Sequence, residues 1–362
     1  MAEDMTRRGF LAGLTVGGTA LALEARAADP VVQAVNPRVE VPPTGGTIKI
    51  LLAAKLAPDE IEQIRRAGRN VELVVPRDDA GTLAAAADAE VILGQPSAEA
   101  IRAAKRLKWV QNWEAGVERL SPELMQHPCV LTNMQRVFAP VIAETAFGLL
   151  LGLTRGLVQA SVPNFRLRKW ERGGVPLDDL YQKTMGVVGL GGIGTEIARR
   201  AHDGFGMKVL AVDPKPMPRP EFVAELREPA WLGEMAPQVD VLVSCAPHTR
   251  ETVKLFGESV FRALKKTAYF INVSRGGLVD QAALARALKE GWIRGAGLDV
   301  TTPEPLPPDD PLWDCPNLVI TPHNSGLAPI RQVRLVALVA ENVRRYSTGL
   351  ALLNVVDKQR GY

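Results

Sequence analysis

Residues Gly189-Leu190-Gly191-Gly192-Ile193-Gly194 stand between an apolar run, Met185–Val188, and a helix-like stretch from Thr195 to His202. Glycines at this spacing suit a main chain that bends sharply and lets another group come close. In a strand–turn–helix unit the first makes the turn and the second admits a pyrophosphate. The third lets helix and strand pack together. N–H groups at the helix start then face the phosphate charge. Asp213 ends the next apolar run, 19 residues after Gly194. A carboxylate there accepts both hydroxyls of an adenosine ribose and repels a 2′-phosphate. The pattern predicts a dinucleotide site at Gly189, Gly191, Gly192, Ile193, Gly194 and Asp213, for NAD over NADP; Lys215 and Arg219 leave some NADP use open.

The rest of the chain repeats the same βα theme. Ile48–Leu52, Val71–Val75, Glu90–Leu93, Trp109–Gln111 and Cys129–Leu131 read as strands, with a helix at Pro58–Ala67 that has proline in its first turn and Gly68 just past its end. A long apolar helix is expected from about Ala139 to Ala160. Six further β-type runs come after it: Met185–Gly189, Lys208–Val212, Val239–Ser244, Ala268–Asn272, Gly295–Asp299 and Leu318–Ile320. Asp280–Lys289 reads as a helix between two of them, and a second long helix runs from about Ser325 to Ser347. Such alternation predicts an α/β fold of two doubly wound parallel-sheet domains. The two long helices suggest that the dinucleotide-binding domain, 156–326, is inserted into a substrate domain made of 48–155 and 327–362.

The amino-terminal residues read as an address. Thr6-Arg7-Arg8-Gly9-Phe10-Leu11 opens an apolar stretch that ends at Leu23, and Ala25-Arg26-Ala27 supplies small residues at a cleavage site. Residues 1–27 are thus expected to be a signal peptide that resembles the twin-arginine type, with 28–47 a linker. Periplasmic location is the corresponding expectation, with the export machinery as a partner; the chain is cytoplasmic if the leader is not functional.

Composition excludes several classes. Of 362 residues, 43 are Lys or Arg and 40 Asp or Glu, and the +3 balance is too small for a nucleic-acid footprint. Cys129, Cys245 and Cys315 lie far apart without a CxxC pair, which supports neither zinc nor a disulfide framework, and four histidines leave little for a metal cluster.

Three more segments carry chemistry: Asn272-Val273-Ser274-Arg275-Gly276-Gly277, Asp299-Val300-Thr301-Thr302-Pro303-Glu304-Pro305-Leu306, and Thr321-Pro322-His323-Asn324-Ser325-Gly326. Each comes after an expected strand, on the edge where open α/β sheets form ligand crevices. These motifs, with Lys183–Gly189 leading into the glycine turn and the closing Asn354-Val355-Val356-Asp357, resemble the D-isomer-specific, NAD-dependent 2-hydroxyacid dehydrogenases from about Ile48 to Tyr362.

The resemblance implies a catalytic set of Arg275, Glu304 and His323. It also implies cofactor contacts at Thr249, Asp299 and Ser325, and a substrate-carboxylate loop in which the backbone N–H groups of Ala115 and Gly116, with Arg275, hold the anion. The chemistry fits these residue types. Reduction of a 2-oxo acid needs a proton for the forming alkoxide, which an imidazole can supply. A glutamate on its other nitrogen fixes the tautomer, and an arginine fork suits a carboxylate. Trp113 and Glu114 depart from the small residues usual in that loop, and Arg136 stands where glycine is usual. His248 is expected to be structural or cofactor-adjacent.

An oxidoreductase moving a hydride between NAD(H) and a small D-2-hydroxy acid/2-oxo acid pair is therefore expected, as a homodimer. Two alternatives remain: the same scaffold acting on formate or phosphite, or a non-catalytic NAD-binding sensor. A substrate screen separates the first, and the intact Arg/Glu/His set weighs against the second.

Overall fold

The computed structural model describes residues 46–362. The expected signal peptide, and the expected linker apart from its last two residues, lie outside the described residues. Among those described, strands β1 (Ile48–Ala53), β2 (Val71–Val74), β3 (Val91–Gly94), β4 (Trp109–Gln111) and β5 (Val130–Thr132) form a parallel sheet in the order β2-β1-β3-β4-β5. Strands β6 (Thr184–Val188), β7 (Lys208–Val212), β8 (Glu225–Arg227), β9 (Val241–Ser244), β10 (Tyr269–Asn272), β11 (Gly295–Leu298) and β12 (Leu318–Ile320) form a second, ordered β12-β11-β10-β9-β6-β7-β8. It is parallel throughout. Both sheets are of the doubly wound kind, each reversing direction beside its first strand.

Parallel strands need crossovers, and the crossovers cover both faces of the sheet. That is why β3, β9 and β10 are buried at every position and lack polar alternation. Strand β8 was not expected from the sequence. It is three residues long, two of them charged, and at the sheet edge, so it carries no apolar run to read.

Five helices frame the two sheets near the cleft or tie one unit to the other: α1 (Pro58–Ala67), α2 (Ala139–Thr154), α3 (Gly192–Phe205), α4 (Gln281–Lys289) and α5 (Ile330–Ser347). The Ala57 N–H is bound by Glu60 Oε2 at 2.7 Å at the head of α1, and Asp280 caps α4 by accepting from the Ala283 N–H at 3.1 Å. Helix α2 stops six residues short of the expected Ala160, because Gly156 turns left-handed (φ +62°) and a π-helical turn, Leu157–Ser161, succeeds it.

Placing residues 139–155 with the first domain needs correction. Phe147 of α2 stacks on Phe205 of α3, with centroids 4.9 Å apart, and Leu149 fills the space over Gly297 of β11. Helix α2 thus covers the second sheet, and the crossing lies before it. Its apolar residues run around the whole helix, so the sequence does not say which sheet they face. The return crossing is tied down by polar contacts from α5. Tyr346 donates to Glu90 at 2.5 Å and Asn342 to Gln111 at 2.9 Å, all four residues being buried. Helix α5 begins at Ile330, not Ser325, since the Thr321–Ser325 segment is held to Asp299 by hydrogen bonds outside any helix.

Candidate active site

The glycine turn comes after β6 at the point where the second sheet reverses, between β6 and β9. Gly189 has φ +92°, and a Cβ on it would lie 2.8 Å from the Ala246 nitrogen, so no side chain fits there. Gly194 packs on the Gly189 carbonyl. Over Gly191, by contrast, the space is open, and α3 starts at the next residue without a side-chain cap. A phosphate at that opening would meet unsatisfied N–H groups and the positive end of the helix dipole. Asp213 Oδ2 accepts from the Leu190 N–H and Oδ1 from the Lys215 N–H, each at 2.8 Å. Burial pushes this carboxyl above its usual range, partly offset by those two N–H groups. An open cradle, a helix start and a fixed carboxylate fit a dinucleotide.

Strands β10, β11 and β12 are neighbours, and the three motif loops leave their carboxyl ends side by side. In the first loop, buried Asn272 accepts from the Ser274 N–H (3.1 Å) and Oγ (2.8 Å) and donates to the Arg275 carbonyl (3.0 Å). Ser274 Oγ also meets Ser244 Oγ at 2.7 Å. The backbone under Arg275 is thereby rigid. Gly276 packs directly on the Thr301 carbonyl, which leaves no room for a side chain and joins the first loop to the second. From there Glu304 Oε1 accepts from the Thr301 N–H at 3.2 Å, while its Oε2 meets His323 Nδ1 at 2.8 Å. Arg275, Glu304 and His323 thus lie on one continuous edge.

His323 has φ +49°, a left-handed conformation that a residue with a Cβ rarely adopts unless its surroundings impose it. The imposing group is Asp299, which is 1% exposed. Its carbonyl accepts from the His323 N–H at 2.8 Å. Its carboxylate accepts from Thr321 Oγ1 (2.6 Å), the Asn324 N–H (3.1 Å) and the Ser325 N–H (3.2 Å). Asp299 and Ser325, expected as cofactor contacts, therefore hold the histidine loop through their own hydrogen bonds. Thr249 Oγ1 donates to Glu251 at 2.7 Å, and a Cβ on Gly277 would lie 2.7 Å from His248 Nε2, so His248 packs on the arginine loop.

Across the cleft, the loop after β4 presents its amides. Asn112 donates to the Glu114 and Gly116 carbonyls at 3.0 Å each, and Asn133 donates to that of Ala115 at 2.7 Å; both asparagines are buried. In a trans peptide the N–H points opposite to the C=O. Tying the Glu114 and Ala115 carbonyls inward therefore turns the N–H groups of Ala115 and Gly116 the other way, as an anion-binding pair requires.

Sequence reasoning missed Glu118. Its Oε1 accepts from Arg275 Nε at 2.6 Å, joining the two sides of the cleft, while Arg275 Nη1 donates to the Ser274 carbonyl at 2.8 Å. Nη2 is left close over Gly116, where a Cβ would collide with it. Burial acts to raise the Glu118 pKa, but the Arg275 charge and hydrogen bond outweigh it and the carboxyl lies below its usual range. The signal was an acidic residue two positions past the expected amide pair. Glu114 and Arg331 lie 3.9 Å apart beside the same loop.

Comparison with known proteins finds relatives for both the sequence and the fold. Residues 147–325 match the model of the D-isomer specific 2-hydroxyacid dehydrogenase NAD binding domain. A glyoxylate reductase of Korarchaeum cryptofilum is 38% identical over 268 residues, covering 72% of this chain and 80% of that protein. A D-3-phosphoglycerate dehydrogenase of Methanocaldococcus jannaschii is 31% identical over 86% of this chain and 59% of its own. Among solved structures, the NADPH-dependent glyoxylate/hydroxypyruvate reductase of Sinorhizobium meliloti, in complex with NADP and malonate, superposes with a TM-score of 0.67. It is 32% identical and covers 87% of this chain and 98% of that one. Two doubly wound parallel sheets, a glycine turn at the switch point and relatives at this identity lead to one conclusion: the chain belongs to the D-isomer specific 2-hydroxyacid dehydrogenase family.

Proposed function

We propose that this protein interconverts a small D-2-hydroxy acid and its 2-oxo acid, reducing glyoxylate or hydroxypyruvate in the favoured reading. The observation that carries this is the His323–Glu304 contact at 2.8 Å on the same edge as Arg275, opposite the amides of Ala115 and Gly116. The unit on the first sheet, with α5, binds the acid, and the unit on the second holds the dinucleotide at Gly189–Gly194 and Asp213. When bound, the nicotinamide supplies or takes the hydride.

The chain's own residues do the rest. Arg275 Nη2 and the two amides hold the substrate carboxylate and draw electron density toward the carbonyl oxygen. His323, with Nδ1–H given to Glu304, presents Nε2 to that oxygen; protonated, it delivers the proton that the alkoxide needs, and neutral, it takes it back in the reverse direction. Glu304 stabilises the positive ring in between. The Asp299 network keeps Nε2 aimed so that little reorganisation accompanies transfer. Asp213 favours NAD over NADP at the adenosine ribose.

A panel of 2-oxo acids, with formate and phosphite as alternative hydride donors, followed at 340 nm with each nicotinamide cofactor, tests the reading. Turnover of glyoxylate or hydroxypyruvate is expected. Formate or phosphite oxidation without 2-oxo acid reduction overturns it, as does dinucleotide binding without turnover.

A homodimer is supported by an exposed apolar segment after α2, in which Phe165 is 83% and Trp170 95% exposed, surfaces that a second copy would cover. Export to the periplasm by a twin-arginine route, folded around its cofactor, is supported by Arg7-Arg8; nicotinamide released on denaturing periplasmic protein is the expected result.

A further inference from the structure

Two residues meet across the cleft with their usual bulk exchanged. Arg136, in the loop after β5, holds a left-handed backbone, φ +71°, which glycine adopts freely and a residue with a Cβ does not. Gly192 stands in the Gly189–Gly194 turn at a position that the dinucleotide pattern leaves to any residue. A Cβ on Gly192 would lie 2.6 Å from Arg136 Cγ, 3.1 Å from its Cα and 3.3 Å from its Cβ. The arginine stem therefore fills the space that a side chain at 192 would occupy. That contact, and not the turn itself, is what requires glycine there.

The loop that carries Arg136 is fixed from behind. Buried Asn133 accepts from the Gln135 N–H at 3.1 Å, and buried Asn354 donates to the Gln135 carbonyl at 2.8 Å and to the Asn133 carbonyl at 3.3 Å. The Met134 N–H is bound by the Glu114 carbonyl at 3.1 Å, and the Arg136 carbonyl accepts from the Ala139 N–H at 3.2 Å. With the main chain pinned on both sides, the left-handed turn at 136 is imposed, and the stem is laid over Gly192 by the fold itself. Gly192 is the first residue of α3, and the space over its neighbour Gly191 is open. Successive Cα atoms are about 3.8 Å apart, a gap that the Cδ–Nε–Cζ arm of an arginine spans. The guanidinium is thus within reach of a group in that opening. The carboxylate at this turn is Asp213, each of whose oxygens accepts from a main-chain N–H.

We propose that Arg136 is a pyrophosphate-binding residue supplied from across the cleft: the N–H groups at the start of α3 hold one side of the dinucleotide's phosphates, and the Arg136 guanidinium, from the first unit, holds the other. The proposal rests on the dinucleotide reading of the proposed function and refines it. A planar fork of donors suits two phosphate oxygens at once, which a lysine at the same place would not match. Because the loop is locked before the ligand arrives, little of the binding energy goes into ordering the stem. Gly191 and Gly192 then have separate tasks: the first admits the phosphates, and the second admits the arginine that closes over them.

Fluorescence titration of the full chain with NADH, with ADP-ribose and adenosine as competitors, tests this. Arg136→Gly is the decisive variant, since glycine suits the left-handed turn and the fold is kept. It should weaken NADH and ADP-ribose about tenfold and leave adenosine, which lacks the phosphates, within about twofold; tenfold is the size of one lost charge-assisted hydrogen bond. Arg136→Lys, which keeps the charge and loses the fork, should fall between the parent and Arg136→Gly. The parent's advantage over Arg136→Gly should also shrink as salt is raised, as that of a merely structural residue would not. NADH binding within about twofold of the parent in Arg136→Gly, or an equal loss for adenosine and ADP-ribose, overturns the assignment and leaves the dinucleotide reading intact. A parent that binds neither NADH nor NADPH overturns both.

Discussion

The two sheet edges that face the cleft are built differently. On the second, Asn272, Ser274 and Asp299 are buried and their hydrogen bonds lock three consecutive loops, so that Arg275, Glu304 and His323 are held from below. On the first, one loop contributes main-chain N–H groups set by Asn112 and Asn133, with Glu118, whose side chain is 33% exposed, reaching over to Arg275. A rigid edge suits the bond-making step, where small displacements are severely penalised. An edge of amides and surface side chains suits the choice of acid, since it can vary without disturbing the proton donor. Chemistry is thus expected to reside on the second edge and selection on the first.

The largest effect that could break this division is at His323. Replacing it by Ala should lower kcat by roughly 10²–10⁴ with a small change in KM; a loss under about threefold in steady-state assays would remove the histidine from the proton-transfer role. A smaller effect is expected across the cleft. Glu118→Gln keeps an acceptor for Arg275 but removes the charge that fixes it, so KM for the oxo acid should rise about three- to tenfold while kcat falls less, the range of a partly exposed charged hydrogen bond. A fall in KM would reverse the picture and make Glu118 a competitor for the arginine.

The smallest effect is on stability. The Glu118 carboxyl is held below its ordinary value of 4.5 in the folded protein, so its contribution is present above that value and is lost as pH falls through the lower one. Thermal unfolding of the parent should therefore lose ground to Glu118→Gln as pH drops below 4.5, by about 1 kcal/mol or less for a pair this accessible. Parallel acid limbs for the two proteins would show that Arg275 and Glu118 are not coupled in solution.

Much of the site is legible in the amino-acid order. The glycine turn announces itself because few side chains fit where Gly189 and Gly194 stand, and the arginine, glutamate and histidine each come after an apolar strand. Less legible were the groups that act through others. Asp299 is expected as a cofactor contact from the resemblance, but an acidic residue after a strand gives no hint that Thr321, Asn324 and Ser325 also fold back on it. Glu118 showed only as an acidic residue two positions past the amide pair, because its meaning depends on an arginine 157 positions away. Helix α2 was placed with the first domain because two long helices read as bracketing the second, and its evenly apolar surface has no preferred side to say otherwise.

What the amino-acid order settles alone is local: βα alternation, the turn that bends at glycine, the helix caps, and the residue types able to move a proton or hold a carboxylate. All of these arise from backbone sterics and hydrophobic periodicity over a few residues. Tertiary structure decided which helix covers which sheet, that Asp299 forces His323 into its left-handed conformation, that Glu118 meets Arg275, and that Arg136 crosses the cleft to Gly192. Those are contacts between distant segments. Their energies depend on distance and burial, which one-dimensional spacing does not encode.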